Sequence, residues 1–285
     1  MLYGCSYFIL LYVRCCFTNT VSRKTSNNRN IQMRYFMSKL HAFFSSSIQL
    51  HLYWIILVAI IYIIIHTYRN KSINQLLDIY FNYIPVLTHE FGHILFNKLS
   101  GGKARDLVIV ARPSERLATS QQGFAITQSK NGLGQSITTF GGYVMPPLML
   151  YIGFLSTQYQ YPSLFITAYL LIFIYFVCLT SRKLLPMFIV ILLVFLLYCL
   201  FKSENQLAIL YVVTITQHFI LGVLLGEVLQ SSWTIFKLTI STDDITWDGS
   251  TLKTLTHIPT FIYSFIWIAI NLFTVYQLFR VYFIP

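Results

Sequence analysis

Charge is scarce in this chain. Only 10% of its 285 residues are Asp, Glu, Lys or Arg, where an ordinary soluble domain carries about 25%. Hydrophobic residues reach 56% and mean hydropathy is +0.63. That shortage excludes a disordered chain, a collagen, a coiled coil and an ordinary cytosolic fold. What remains is an α-helical polytopic membrane protein. Acids are the scarcer sign: 9 Asp plus Glu face 20 Lys plus Arg, a net +11. In a membrane chain that excess reads as topology, because basic residues collect in cytoplasmic loops. A nucleic-acid surface would interleave bases with polar and aromatic residues on a soluble face. None does so here, and no nucleic-acid partner is expected. Cys5, Cys15, Cys16, Cys178 and Cys199 are odd in number and contain no CxxC pair, so neither a disulfide framework nor a thiolate metal site is built from them. Repeats are missing too, which withholds support from a duplicated transporter.

Residues 1–48 form a poorly defined N-terminal segment, and 49–285 a single membrane-embedded domain. The apolar run 2–18 is interrupted by Arg14, and the basic stretch with Arg23, Lys24, Arg29 and Arg34 follows it rather than precedes it. That order does not suit a signal peptide. It suits an extra span, a targeting segment or an artefact of start-codon choice, and Met33 and Met37 offer later beginnings.

A helix needs about 20 apolar residues to cross the hydrocarbon core. Runs at 51–68, 137–156, 163–180, 184–201, 207–228 and 259–279 approach or meet that length. The segment 80–99 is long enough but carries His89, Glu90 and His93. The expectation is therefore six or seven transmembrane helices. If 80–99 crosses, Arg34, Lys39, Lys98, Lys103, Arg105, Arg112, Arg116, Lys130, Arg182 and Lys183 share one side. Arg69, Lys71, Lys202 and Arg280 then take the other, so the charges favour a crossing. The richer side is cytoplasmic, and a multi-pass protein of the plasma membrane with its site towards the cytoplasm is expected. Between 101 and 134 the pattern changes: DLVIVARPS and QGFAITQS alternate around Pro113 and Ser114, which predicts a small β-hairpin insert.

The chemistry sits in His89-Glu90-Phe91-Gly92-His93, an HExxH pentapeptide. Residues i and i+4 share one helix face, so two imidazoles can hold one metal while the adjacent carboxylate reaches a water. With seven His and four Glu in the chain, chance supplies roughly 0.002 such patterns. Ionisable side chains in a span each cost about 2.5–3.5 kcal/mol on insertion scales and mark function. Two nitrogens plus one oxygen ligand suit tetrahedral Zn2+ with an open fourth position.

The third ligand must come from elsewhere. Asp78 precedes the motif, Asp106 and Glu115 lie in the hairpin insert where solvent satisfies them, Glu204 is in a short loop, and Glu227 reads as a helix-end or interfacial residue. Asp243 and Asp244 read as a solvated pair. Asp248, in Trp247-Asp248-Gly249 before the last span, serves either as a helix N-cap or as a freely presented carboxylate. His218 is the other nitrogen available.

These motifs resemble the site-2-protease-like intramembrane zinc metalloproteases, in their short peptidase-like branch, over about residues 80–280. HEFGH followed by Ser100-Gly101-Gly102, then GGYVMPPL at 141–148, then DGSTLKTLTHIP at 248–259 carry the likeness. Met145 stands where that branch has Gly, and Thr246-Trp247 where its relatives have Asn-Pro. The resemblance implies His89, His93 and Asp248 as zinc ligands, with Glu90 as general base and then acid. It also implies peptide-bond hydrolysis in a membrane-embedded protein substrate, within the lipid bilayer. The competing expectations are a catalytically silent metal-binding regulator and a metal transporter. An intact Glu90 speaks against the first. Clustering of the ionisable residues on one span and one loop speaks against the second.

Overall fold

The computed structural model describes residues 25–283 apart from 120, 203–205 and 243–244. Asp243, Asp244, Glu204 and the N-terminal run 2–18 lie outside the described residues. In chain order come α1 (Thr25–Phe44), α2 (Leu52–Thr67), α3 (Ser72–Phe81), α4 (Tyr83–Leu99), β1 (Lys103–Ile109), α5 (Pro113–Thr119), β2 (Gly123–Gln128), α6 (Gly132–Gln158), α7 (Pro162–Leu179), α8 (Leu184–Lys202), α9 (Gln206–Ile240), α10 (Asp248–Thr256) and α11 (Thr260–Phe283).

Four helices are long and apolar enough to cross a membrane: Gly132–Gln158, Pro162–Leu179, Leu207–Ile240 and Thr260–Arg280. Leu52–Thr67 and Leu184–Tyr198 are apolar but shorter. The bundle buries one continuous core in which Leu87 and Ile94 of α4 meet Leu150 of α6, Phe165 of α7 and Leu221 and Leu224 of α9. Each such side chain contributes about 1.5–3 kcal/mol relative to exposure in water, and against lipid the gain comes from packing instead.

The expected hairpin is present. β1 and β2 pair antiparallel, with Leu107 opposite Ala125 and Ile109 opposite Gly123, and the register slips between Ala104 and Asp106. The short helix α5 occupies the turn. The acids expected to be solvated here are engaged instead. Asp106 accepts from the backbone amides of Leu107 and Ser181, each at 2.8 Å, and Glu115 pairs with Arg182 at 2.7 Å. Asp78 is buried, bonded to His66 at 2.8 Å and to Arg116 at 2.9 Å. Breaking a buried pair of this kind costs about 3–5 kcal/mol, because it strands a charge.

The direction of α4 departs from the crossing that the charges favour. Gly222 lies against Val58 and Gly226 against Tyr62, so α2 runs parallel to α9. The end of α9 meets the start of α11, through Thr239 and Ser264, and the start of α6 also meets α11, through Phe140 and Trp267. The end of α4 reaches this face as well, where the Ser100 hydroxyl donates to the Gly134 carbonyl. Both α2 and α4 therefore run in the same direction and end towards one end of the bundle, with α3 returning between them. The first turn of α4 stays level with Tyr62, whose hydroxyl donates to Asn82 Oδ1 at 2.8 Å.

A re-entrant α3–α4 pair is the expectation from this shared direction, and single cysteines in a background without the native ones check it. Residues at Asn70 and Lys130, both exposed, should be labelled by a membrane-impermeant maleimide from the same side; labelling from opposite sides would restore a crossing α4.

Candidate metal centre

Helix α4 approaches α6 closely because Gly92 has no side chain: a Cβ there would fall 2.5 Å from the Gly141 carbonyl oxygen and 2.7 Å from Met145 Cβ. The close approach thus survives with Met145 in place, since the facing helix supplies the glycine. One turn along, a Cβ on Gly142 would fall 2.5 Å from His93 Nε2 and 2.8 Å from His89 Nε2. The bare backbone of Gly142 is the floor on which both imidazoles rest. Pro146 and Pro147, inside the same helix, remove the amides that would normally bond the carbonyls of Gly142 and Tyr143.

The structure brings together His89, His93 and Asp248, from helices far apart in sequence. His89 Nε2 and His93 Nε2 are 3.2 Å apart. Asp248 Oδ2 lies 3.4 Å from the first and 3.5 Å from the second. His93 Nδ1 donates to the Thr138 carbonyl at 2.9 Å, which fixes the tautomer and leaves Nε2 with its lone pair inward. The His89 ring meets Tyr143 edge-on, with centroids 4.7 Å apart.

Asp248 is the first residue of α10 rather than its cap. Trp247 takes the N-cap position, and its amide donates to the Ser250 hydroxyl at 2.9 Å. That bond leaves the Asp248 carboxylate free to face the imidazoles. Trp247 itself packs against Tyr143 and Trp267, at ring separations of 6.2 and 6.1 Å. The tryptophan that departs from the family pattern is thus the wedge that seats α10 on α6 and α11. Burial alone would raise the Asp248 pKa, but the imidazoles of His93 and His89 outweigh it and hold the carboxyl below its ordinary range.

Glu90 is buried on the adjoining flank of α4. The Val110 amide donates to the Gln122 carbonyl at 2.9 Å, so Ala125, three residues further along β2, belongs to the other kind of antiparallel pair. Its N–H points away from β1, and Glu90 lies against the same strand, where a Cβ on Gly123 would fall 3.1 Å from Glu90 Cγ. The open edge of β2 therefore runs past the metal-site helix.

Other candidates fall elsewhere. His218 accepts the His51 amide at Nε2, at 2.9 Å, and donates from Nδ1 to the Thr214 carbonyl; it is a satisfied packing histidine. Glu227 is not at a helix end. It stands within α9, bonded to the Tyr62 hydroxyl, and lines the same cavity of about 710 Å³ as His89, Glu90, Gly123 and Tyr143. The signal was in the sequence, since an acid within a span rarely lacks a purpose.

Do these side chains fit zinc? Bonds of 2.0–2.1 Å in a tetrahedron place neighbouring ligand atoms about 3.3–3.4 Å apart. The three edges here, 3.2, 3.4 and 3.5 Å, bracket that value. Two neutral nitrogens and one carboxylate oxygen are also the right donor chemistry.

A helical bundle that seats an HExxH turn beneath a distant acid points to a membrane metallopeptidase. Comparison bears this out at family level: the Peptidase M50B-like model matches residues 53–278. The chain belongs to that family, the site-2 protease family, and is a metallopeptidase by membership. Comparison with curated proteins and with solved structures gives no match.

Gly142→Ala should push His93 off its floor and weaken zinc binding at least tenfold, the order seen when groups supporting a ligand are disturbed. Asp248→Ala should weaken it further. Chelator competition on the purified protein measures both, and unchanged affinity in both variants would detach these residues from the metal.

Proposed function

We propose that the chain is an intramembrane zinc endopeptidase that hydrolyses peptide bonds in membrane-spanning protein substrates. His89, His93 and Asp248 hold Zn2+, and Glu90 acts as general base and then general acid. The observation that carries this reading is the triangle of ligand atoms with edges of 3.2–3.5 Å. A bound zinc lowers the pKa of a coordinated water from 15.7 towards about 7 and polarises the scissile carbonyl.

The chain's own groups do the rest. Glu90 lies beside the imidazoles and receives the proton of the attacking water, then returns it to the leaving amine nitrogen. Gly123 of β2 leaves room for the Glu90 side chain beside the strand. The open edge of β2 offers a substrate strand backbone partners, so a span that unwinds locally keeps its amides paired. Water arrives through the cavity. With Tyr62 beside Gly226, α2 stops at Thr67 while α9 runs on to Ile240, so α9 continues about two and a half turns beyond its parallel neighbour. The wall left uncovered carries Gln230, Ser231, Thr234 and Lys237, all of which line the cavity.

The two shorter apolar helices, α2 and α8, complete six membrane helices around the re-entrant α3–α4 pair. With α2 and α4 ending on one face, Arg69 and Lys71 join Lys103, Arg105, Arg112, Arg116, Arg182 and Lys183 there, while Lys202 and Arg280 lie at helix ends on the other. That sorting favours a cytoplasmic position for the site face.

Glu90→Gln should leave zinc near one per chain and lower cleavage about 10²–10⁴-fold, the usual worth of a positioned acid–base group. Metal analysis alongside product release from a single-span substrate reads both; full activity in this variant would remove Glu90 from the chemistry.

A further inference from the structure

The cavity that reaches His89 and Glu90 has a second, basic end. Arg69, just beyond α2, and Lys237, on the overhanging wall of α9, both line it. Arg69 is exposed but not loose. Asp78 Oδ1 takes His66 Nδ1 at 2.8 Å, which leaves His66 Nε2 as an acceptor, and Arg69 Nη1 donates to it at 2.6 Å. Asp78 Oδ2 is held in turn by Arg116 Nη1 at 2.9 Å. Asp78 and His66 are buried, so a fixed stack positions the guanidinium from beneath. One of its five N–H donors is used in that bond. Lys237 Nζ lies 5.2 Å from the Trp233 ring centroid, and Trp233 lines the cavity too. Among the described residues, no carboxylate forms an ion pair with Arg69 or Lys237. The acids that line the cavity, Glu90 and Glu227, belong to its inner end.

A base that merely kept its charge in water would extend outward on its stem. Arg69 instead spends a hydrogen bond on a buried imidazole that a buried carboxylate orients. We propose that this basic end is a carboxylate subsite, which selects substrates carrying an Asp or Glu side chain at a fixed offset from the cleaved bond. The proposal rests on the peptidase reading for what the subsite serves. The free edge of the Arg69 fork takes the two carboxylate oxygens, a geometry that lysine cannot supply, and Lys237 adds a second positive charge. The inner acids repel the same group from the metal end. Attraction at one end and repulsion at the other fix the register in which a neutral stretch lies over Glu90.

The test uses zinc-loaded Glu90→Gln protein in detergent and fluorescence anisotropy. The probes are labelled peptides of about twenty residues, rich in Leu and Ala, with a single Asp moved stepwise along the sequence. Each has a twin with Asn at that position. One register should bind its Asp peptide at least tenfold more tightly than the Asn twin. Adding Arg69→Gln should bring the Asp peptide down to the affinity of its twin, Arg69→Lys should leave an intermediate preference, and Lys237→Gln should reduce it. Zinc content and melting temperature report whether each variant is folded. No preference in any register overturns the subsite, as does a preference that survives Arg69→Gln. A loss confined to vesicles containing phosphatidylserine, with peptide discrimination intact, overturns it in favour of a lipid contact. Zinc-loaded wild-type protein that prefers the Asp peptide but cuts none of the set would sink the peptidase reading and leave the subsite standing. Cleavage without acid preference would do the reverse.

Discussion

Two imidazole nitrogens and a carboxylate oxygen meet beside apolar helices, each within 3.5 Å of the other two. Such a cluster is costly to bury unless a cation neutralises it, and most of the fold around it can be understood as holding it in place. Gly92 and Gly142 remove the side chains that would keep α4 from α6. The Thr138 carbonyl turns one imidazole, and the Trp247 wedge carries Asp248 in on a separate helix. None of these supports touches solvent freely, so none could be assembled from surface loops alone.

The same constraint bears on the shared direction of α2 and α4. A helix crossing from face to face would place HExxH near mid-bilayer, far from water on either side. An α3–α4 pair that dips in and returns would keep the motif within reach of one aqueous face, with the apolar helices α6, α7, α9 and α11 around it. The short α2 beside the long α9 then opens a polar cleft on that face. Irregular or polar backbone survives at membrane depth only where protein or a wet cavity satisfies it. Here the hairpin does so by lying along α4, with Asn82 bonded to Gln122 at the strand's beginning.

Much of this was legible in the residues. HExxH marked His89 and His93 as candidate ligands because its spacing puts them on one face, with Glu90 on the adjoining flank. The hairpin followed from alternation on either side of Pro113. Asp248 emerged through its family likeness rather than through geometry, since an Asp before Gly at a helix start has an equally good reading as a cap. The shared direction of α2 and α4 was not legible, because charge sorting takes successive apolar helices as alternating in direction, and a ten-residue helix such as α3 carries no hydropathy signal to say otherwise. Asp78, His66 and Arg116 could not be joined from sequence either. Their partnership depends on the hairpin folding back beside α4, a contact that spans 38 positions.

Glu227 shows how these levels connect. Its place on α9 is set by packing, where Gly226 admits the ring of Tyr62. That ring delivers a hydroxyl to both Glu227 and Asn82, and Asn82 reaches Gln122. A chain of polar contacts thus links the wall of the cavity to the strand that flanks Glu90. A hydroxyl has one proton to share between two acceptor oxygens, so a change at either end of the chain alters the bond at the other. The start of β2, the cavity wall and the start of α4 are therefore joined by one continuous chain of hydrogen bonds.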